Sequence, residues 1–459
     1  MSTPYTYRDP TLSLWQSAVA QVQRNRKSVQ ARISPKSKVQ FAVPSLAVQD
    51  DLMSPVHLLG ESLSAGQSKP VASLAAAQPA STASFAPHGV GTVVDCAKVA
   101  AQFLAAEMTG DKQKSDLYAS ELKFAVCDAL GWGECLTAYL AFKASCGSLP
   151  YRPNQNVVFP LAKNAKIAIL GDWGTGDDVA INLLQQVANL KPDILFHLGD
   201  VYYSCTQGEA NDNFVAVCRQ ILGTNIPLFS LCGNHDMYSG GDGYYWLIDH
   251  IGQQSSYFCL QNDDWQFLAM DTGHNDHDPG TVSTNMTSLV TIPGWSEVNW
   301  HLGKIQQAGN RRIAFFSHHQ LFSPFSSVGS LNNQECCYNP NLYSSFQSVL
   351  SKVAIWFWGH EHTLALYDPY MGLSRGRCVG ASAVPVFKDQ QQYAPCKDLL
   401  TYNKAPLPTW SSKAILGDNG TEYNNAFAIM TLNGASATVD YYQVPLLQPA
   451  TKLPFTDTI

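Results

Sequence analysis

From about residue 160 onward, short apolar runs alternate with polar segments, and each run stops abruptly at a polar group. The runs and the groups that follow them are KIAIL before GDWG, DILFHL before GD, IPLFSL before CGNHD, WQFLAM before DTGH, RIAFFS before HH, and VAIWFW before GHEH. Apolar runs of this length, bounded by turn residues, are typical of buried strands. The pattern therefore predicts a series of strands that deliver polar side chains at their carboxyl ends.

Amphipathic helices are predicted between some of these strands. One has Ala180, Leu184 and Val187 on its apolar face, and the other has Val298, Leu302 and Ile305 and ends at Gly309. Strands that alternate with helices indicate an α/β fold, in which loops at the carboxyl ends of strands gather ligands. We expect the polar groups to meet at one edge of the fold.

The last part of the chain contains the strand-like pieces AFAIMTL and ATVDYYQV, which are joined through Asn433-Gly434. That dipeptide is a strong hairpin indicator, so the two pieces are predicted to complete a sheet. Between them and the last motif, residues from about 387 to 425 are polar and contain proline, and are predicted to be an insertion that forms a lid or rim. Together, these strands, helices and the insertion are predicted to form one domain over residues 155–459.

The first third of the chain has a different character. Residues 1–59 are predicted to be a partly helical N-terminal segment, and residues 60–92 are rich in Ala, Ser and Pro, as flexible linkers are. Residues 93–150 are predicted to be a separate small helical module, because Leu122, Val126 and Leu130 recur at helical spacing and GWG at 131–133 precedes a second helix over about 134–146. This region has no cluster of residues with metal-ligand spacing.

Composition narrows the class of protein. The 459 residues are 45% hydrophobic and 14% charged, which is ordinary for a globular protein, and the net charge of -7 argues against a nucleic-acid partner. No apolar run approaches the roughly 20 residues of a membrane span, and the N-terminus lacks the pattern of a secretory leader, so the cytoplasm is the favoured location.

The chain has 12 cysteines, too few for a disulfide scaffold of this length. The vicinal pair Cys336-Cys337 is expected to lie in a polar loop, with redox sensitivity as the alternative interpretation.

Six residues at strand ends have the chemistry of metal ligands: Asp172, Asp200, Asn234, His318, His360 and His362. Carboxylate, amide and imidazole groups in this mixture suit Fe, Mn or Zn. Each has an ordinary structural alternative, since an Asp after a strand caps helices, an Asn forms turns and a lone His is commonly a hydrogen-bonded core residue. Their joint occurrence in one order, each after a predicted strand, favours a transition-metal site.

The ordered motifs GDWG, GDVYY, GNHD, SHH and GHEH resemble those of the calcineurin-like metallophosphoesterases, and more closely those of the purple acid phosphatases, especially the short tartrate-resistant kind. The first motif reads Asp172-Trp173-Gly174 where most of the superfamily has Asp-x-His. In purple acid phosphatases, a tyrosine three residues after the second aspartate replaces that histidine, and Tyr203 has this spacing from Asp200. The alternative for Tyr203 is an aromatic residue that only packs.

The resemblance implies a metallophosphoesterase β-sandwich flanked by helices and a centre with two metal ions. Asp172, Tyr203 and His362 would bind the first ion, Asn234, His318 and His360 the second, and Asp200 both. A tyrosinate site suits Fe(III), and the second site suits Fe(II), Zn or Mn.

The resemblance also implies catalytic roles for histidines. His235 would protonate the leaving group, with Asp236 to orient it, and Asp200 would act as the bridging group of the catalytic centre. His319 is either a second such histidine or a loop residue. Gln320 stands where the family usually has proline.

These expectations describe a hydrolase of small phosphate monoesters, in which metal-bound hydroxide attacks phosphorus. The chain has neither a GxSxG elbow nor a phosphate-binding P-loop that would indicate a different mechanism. Two alternatives remain: a phosphodiesterase or nucleotide hydrolase on the same scaffold, and a regulatory or binding protein that acts through its helical N-terminal region. The sequence predicts neither a nucleic-acid nor a membrane partner and does not predict the oligomeric state.

Overall fold

The computed structural model describes residues 147–277, 286–446 and 448–459, and upstream of them only residues 111, 112, 114, 135, 138, 139 and 141–145. The segment 1–59, the linker 60–92 and most of the module 93–150 therefore lie outside the described residues. Residues 135, 138, 139 and 141–144 are helical, in agreement with the helix predicted over 134–146. Within the described part of the chain, we find no helix that is both long and apolar enough to cross a bilayer.

Two large sheets make up the body of the protein. The six-stranded sheet has the spatial order β17-β16-β15-β2-β3-β4. Its strands are β2 (Lys166–Leu170), β3 (Ile194–His197), β4 (Leu228–Ser230), β15 (Asn425–Asn433), β16 (Ser436–Val444) and β17 (Thr451–Thr458). Strands β2, β3 and β4 are parallel, and the three C-terminal strands are antiparallel to their neighbours.

The seven-stranded sheet has the order β1-β5-β6-β9-β12-β14-β13. Its strands are β1 (Val158–Pro160), β5 (Phe258–Gln261), β6 (Trp265–Ala269), β9 (Arg312–Phe316), β12 (Val353–Trp358), β13 (Leu364–Leu366) and β14 (Gly376–Val379). Strands β6, β9, β12 and β14 are parallel. Two small antiparallel pairs lie outside the large sheets: β7 (Thr291–Ile292) with β8 (Trp295–Ser296), and β10 (Gly329–Leu331) with β11 (Gln334–Cys336).

Each of the six apolar runs that precede a polar motif forms a strand, as predicted. The hairpin at Asn433-Gly434 is also confirmed, because β15 and β16 pair in register from Asn433 opposite Ser436. Gly434 has a φ of 57°, a left-handed conformation that glycine adopts without steric cost.

The α-helices are α1 (Asp178–Asn189), α2 (Gln207–Glu209), α3 (Ala216–Leu222), α4 (His235–Tyr238), α5 (Asp242–Ile251), α6 (Glu297–Gln306) and α7 (Pro340–Phe346), and a π-helix (Ala210–Val215) joins α2 to α3. The predicted face of α1 is confirmed, since Ala180, Leu184 and Val187 are buried.

Helix α6 differs from the prediction in its buried face. It buries Glu297, Trp300, His301 and Ile305, whereas the predicted Val298 and Leu302 are only half-buried. Its buried Glu297 accepts hydrogen bonds from the Tyr151 hydroxyl (2.9 Å) and the Asp271 main-chain N–H (2.9 Å). These hydrogen bonds offset the cost of burying the Glu297 carboxylate.

The main core lies between the two sheets. Phe196 of the six-stranded sheet stacks on Phe316 of the seven-stranded sheet with ring centroids 4.3 Å apart, and Phe267 and Phe357 extend the contact. A buried Phe stabilises a fold by roughly 1.5–3 kcal/mol, so this aromatic layer holds the two sheets together. The protein is thus a mixed α/β sandwich of two sheets flanked by helices, which confirms the predicted fold class.

The insertion at 387–425 contains three short 3₁₀-helices, Lys388–Gln390, Tyr402–Lys404 and Ser412–Ala414. It is attached to the body by isolated bridges, including Tyr367–Trp410 and Cys336–Leu400. The cysteine pair was predicted to lie in a polar loop, but Cys336 and Cys337 are both fully buried and unpaired, because this insertion covers them.

Candidate metal centre

Loops after β2, β3 and β12 place predicted ligands in an unusual backbone conformation. Asp172, Asp200 and His360 have φ values of 56°, 73° and 65°, a region that residues other than glycine rarely adopt. Such strain is concentrated at functional sites. The glycine before His360 is required by space, since a Cβ on Gly359 would lie 2.6 Å from Asp172 Oδ2.

Three of the predicted ligands form a first donor cluster, which comprises Asn234, His318 and His360. Asn234 Oδ1 lies 3.0 Å from His318 Nε2 and 2.9 Å from His360 Nδ1, and the two imidazole nitrogens are 3.1 Å apart. Asn234 follows the six-stranded sheet, whereas the two histidines follow strands of the seven-stranded sheet. The first donor cluster therefore joins the two sheets.

The chemistry of the first donor cluster fits a cation. His318 Nδ1 lies 2.9 Å from the Leu198 carbonyl oxygen, an acceptor, so Nδ1 carries the proton and Nε2 has an exposed lone pair. Burial and the neighbouring imidazoles of His319 and His360 lower the pKa of His318 well below its usual value, which keeps the ring neutral. Asn234 donates its amide N–H to the Tyr238 hydroxyl (2.5 Å), so its oxygen faces the histidines. Lone pairs that converge in this way are stabilised by a bound metal ion.

A second donor cluster comprises Asp172, Tyr202 and His362. The Tyr202 hydroxyl lies 3.3 Å from Asp172 Oδ1 and 2.9 Å from His362 Nε2, and His362 Nε2 is 3.5 Å from Asp172 Oδ1. Asp172 Oδ2 also accepts the main-chain N–H of His360 at 2.8 Å, which fixes the orientation of the carboxylate. Carboxylate, phenol and imidazole make this a harder donor set than the first.

Asp200 lies between the two clusters. Its Oδ2 is 3.3 Å from the Tyr202 hydroxyl and 3.4 Å from His318 Nε2, and its Oδ1 accepts the His235 main-chain N–H at 3.0 Å. Burial, together with the charges of Asp172 and Asp236, raises the pKa of Asp200 well above its usual value. A cation at this position would offset the repulsion between Asp200 and its neighbours Asp172 and Asp236. Among the described residues, the ion pairs of Asp172 and Asp200 are with imidazoles.

The tyrosine at the second cluster is Tyr202, whereas the spacing argument assigned Tyr203. Val201 pairs with Gly174 in a short parallel bridge, and its side chain packs in the core beside α1. The chain turns directly after Val201, and the Tyr202 hydroxyl lies beside Asp172, Asp200 and His362. The Tyr203 carbonyl oxygen accepts a hydrogen bond from His235 Nδ1 at 2.6 Å.

The missing imidazole of the first motif also has a structural reason. The superfamily histidine position is occupied by Gly174, where a Cβ would lie 2.7 Å from Val201 Cα. Trp173 is turned away from the donors, because its indole N–H donates to the Ala180 carbonyl oxygen at 2.9 Å. The Tyr202 hydroxyl is the oxygen that stands in this part of the site.

His235 lies beside the shared carboxylate. Its Nδ1 is 2.6 Å from the Tyr203 carbonyl oxygen, and its Nε2 is 3.9 Å from Asp200 Oδ2. Asp236 was expected to orient His235, but its carboxylate instead accepts the main-chain N–H groups of Asp200 (3.0 Å), Val201 (3.1 Å) and Gly233 (2.7 Å). Asp236 therefore holds the loop that carries Asp200.

His319 is buried at the edge of the first donor cluster. Its Nε2 lies 3.0 Å from Asp276 Oδ2, its Nδ1 lies 3.1 Å from the Thr272 hydroxyl, and its ring is 4.3 Å from that of His360. His318, His319 and His360 together offer ligand atoms within 4.8 Å of one another, as do Asp172, Asp200 and His318. The sequence did not indicate Asp276, because it lies outside the ordered motifs.

Comparison with known proteins agrees with this geometry at the level of the family. Residues 165–364 match the family model described as calcineurin-like phosphoesterase. This segment contains all the residues of both donor clusters. No curated protein matches the chain.

Several solved structures are similar to the fold. A purple acid phosphatase isolated from yellow lupin (Lupinus luteus) seeds matches with a TM-score of 0.42 and 15% identity, over 65% of this chain and 54% of that chain. PhoD matches with a TM-score of 0.43 and 9% identity, over 65% of this chain and 70% of that chain. GAP50, the anchor in the inner membrane complex of Plasmodium, matches with a TM-score of 0.38 and 14% identity, over 64% and 89% of the two chains. The matched region thus spans about half of the lupin phosphatase.

Proposed function

We propose that this chain is a binuclear metal-dependent hydrolase of phosphate monoesters. The observation that carries the proposal is the presence of two donor clusters that share one carboxylate oxygen, Asp200 Oδ2. The calcineurin-like family match to the same segment supports it. Two neighbouring cations supply Lewis-acid polarisation of a phosphoryl group and activation of water when they are bound.

The residues of the chain would divide the work between binding and proton transfer. Asp172, Tyr202 and His362 would hold one ion, and Asn234, His318 and His360 would hold the other. The main-chain N–H of His360 and the Leu198 carbonyl fix one carboxylate and one imidazole in place. Because these partners are main-chain groups, the donors are oriented before any ion binds.

His235 is the residue we propose to move a proton. Its Nδ1 faces the Tyr203 carbonyl oxygen and is held as a donor, so protonation and deprotonation take place at Nε2, on the side of Asp200. An imidazole at this position can give a proton to the oxygen of the leaving alcohol. His319 is bound to Asp276 and Thr272, which favours a positioning role over proton transfer.

The oxygen-rich second cluster is the site that we assign to Fe(III), because a phenolate is a hard anionic ligand. The cluster of Asn234, His318 and His360 suits Fe(II), Zn or Mn. The earlier assignment of Tyr203 as the tyrosinate stays a prediction from spacing, and the geometry favours Tyr202.

The test is a substrate panel with matched variants. Purified chain, loaded with iron and zinc, should hydrolyse monoesters faster than diesters or nucleotides, and should contain two metal ions. Asp200→Asn should lose both metal and turnover, whereas Asp263→Asn, at an exposed position outside the site, should keep both. Turnover confined to diesters would replace the proposal with a phosphodiesterase, and full activity in Asp200→Asn would refute it.

A further inference from the structure

A small cavity opens beside the second donor cluster. Its volume is about 30 Å³, and its lining includes His362, Glu361 and Thr363 from the last motif, Phe325, and Val386 and Gln392 from the region of the insertion. Because His362 belongs to both the cavity wall and the second donor cluster, the cavity lies directly against that cluster. The insertion thus contributes directly to the surroundings of the metal centre.

Gln392 is the unusual member of this lining. Its side chain is buried, with 4% of the residue exposed, and neither Nε2 nor Oε1 has a hydrogen-bond partner among the described residues. Burying an amide without partners is unfavourable, so native proteins rarely do so unless a ligand or water completes the bonds. An amide in the wall of a cavity next to a catalytic centre is positioned to bind part of a substrate.

Two other polar side chains in the wall, Glu361 and Gln390, are already engaged, and Gln390 Oε1 accepts the Phe387 main-chain N–H at 2.7 Å. Glu361 Oε1 accepts a hydrogen bond from the Ser326 hydroxyl, and its Oε2 accepts one from the Tyr367 hydroxyl at 3.4 Å. Glu361 is therefore fixed in the wall, and Phe325 and Val386 supply apolar surface. The recognition chemistry offered to a ligand comes mainly from the Gln392 amide and the Thr363 hydroxyl.

The amide and the cavity size together define the ligand. A hydroxyl group both donates and accepts, so it can bond to Oε1 and Nε2 of the same amide. A water-sized group needs roughly 10–15 Å³, and a benzene-binding cavity has about 150 Å³. With a volume of about 30 Å³, this cavity admits hydroxyl groups and excludes an aromatic ring.

We infer that this cavity is a specificity site for hydroxyl groups on the organic part of the substrate, so that the enzyme prefers phosphate esters of polyhydroxy alcohols to aryl phosphates. The inference rests on the proposed phosphomonoesterase function and names its substrate class. Gln392 would act as a specificity-determining residue that leaves the metal ligands unchanged.

The test compares Gln392→Met with wild type on glycerol 2-phosphate and on 4-nitrophenyl phosphate. Methionine has a similar length but no hydrogen-bonding amide, so kcat/KM for glycerol 2-phosphate should fall about tenfold, as expected for one or two lost hydrogen bonds. For 4-nitrophenyl phosphate it should stay within about twofold, since that ester does not use the amide. Gln391→Met, at the exposed neighbouring position, is the matched control and should behave as wild type on both substrates.

Equal losses on both esters, or no loss on glycerol 2-phosphate, would overturn the inference. A Gln392→Met chain that fails to fold would also overturn it, because the amide would then have a structural role. If the wild-type chain hydrolyses neither ester, the proposed function is refuted instead. The wild-type chain is therefore assayed before any variant is made.

Discussion

The position of Tyr202 leads to a sharp prediction about two adjacent tyrosines. We expect Tyr202→Phe to weaken metal binding and Tyr203→Phe to leave it nearly unchanged. The Tyr202 hydroxyl is within 3.3 Å of Asp172 Oδ1 and Asp200 Oδ2 and within 2.9 Å of His362 Nε2, so its removal deletes an oxygen from the second donor cluster. Both side chains are buried, which makes the two variants comparable.

The expected magnitude follows from the role of the hydroxyl. If it only supported the ligands, its loss would weaken metal affinity about 10- to 100-fold, which corresponds to roughly 1.4–2.7 kcal/mol. Loss of a direct ligand should exceed this range at one of the two ions. Metal analysis after dialysis at graded free metal concentrations would measure the affinity of each variant.

The iron-loaded protein provides a second measurement. A phenolate bound to Fe(III) should give a visible absorption band, which should disappear in Tyr202→Phe and persist in Tyr203→Phe. Circular dichroism would establish that both variants are folded. The reverse result, in which Tyr203→Phe loses metal and colour while Tyr202→Phe keeps them, would refute the argument from the position of the Tyr202 hydroxyl.

Three further predictions concern catalysis and stability. His235→Ala should lower kcat about 10²- to 10⁴-fold while two metal ions remain bound, and a parallel loss of metal would contradict its role in proton transfer. Chelation should lower the midpoint of thermal unfolding, because metal at 100 times its Kd stabilises the native state by about 2.7 kcal/mol, and an unchanged midpoint in calorimetry would argue against a metal centre. Asp457→Asn should cost roughly 3–5 kcal/mol at neutral pH in urea unfolding, since it leaves Arg377 buried without its charge partner, which lies at 2.7 Å. Burial raises the pKa of Asp457, but Arg377, the Tyr441 hydroxyl and the charge of Arg375 together hold that pKa below its usual value. The stabilisation is therefore present above about pH 4 and is lost as the pH falls through the pKa of the folded state, so wild type and Asp457→Asn should converge in acid, and a constant difference down to pH 2 would contradict the linkage.

The sequence predicted the strands because their apolar runs are short and end in turn residues, a local pattern that the tertiary structure did not override. It also predicted residues that the structure brings together, such as Asp200, His318 and His360, because each directly follows a strand of the sandwich. The spacing that assigned Tyr203 takes no account of the turn after Val201, where the structure places the Tyr202 hydroxyl beside Asp172 and His362.

Two other features could not be predicted from the local sequence pattern. Helix α6 buries Glu297 and His301, because partners distant in sequence satisfy the carboxylate, and hydrophobic periodicity takes no account of such partners. Gln392 lies in an insertion without periodicity, so its burial beside His362 follows only from the packing of the whole domain.

The division of ligands between the two sheets has a mechanical consequence. Each donor cluster takes residues from both sheets of the sandwich, so an ion bound to either cluster would link the two sheets. A slip of one sheet over the other would pull both coordination spheres apart together. Packing substitutions far from the centre, in the layer around Phe196 and Phe316, are thus expected to change metal retention as well as folding.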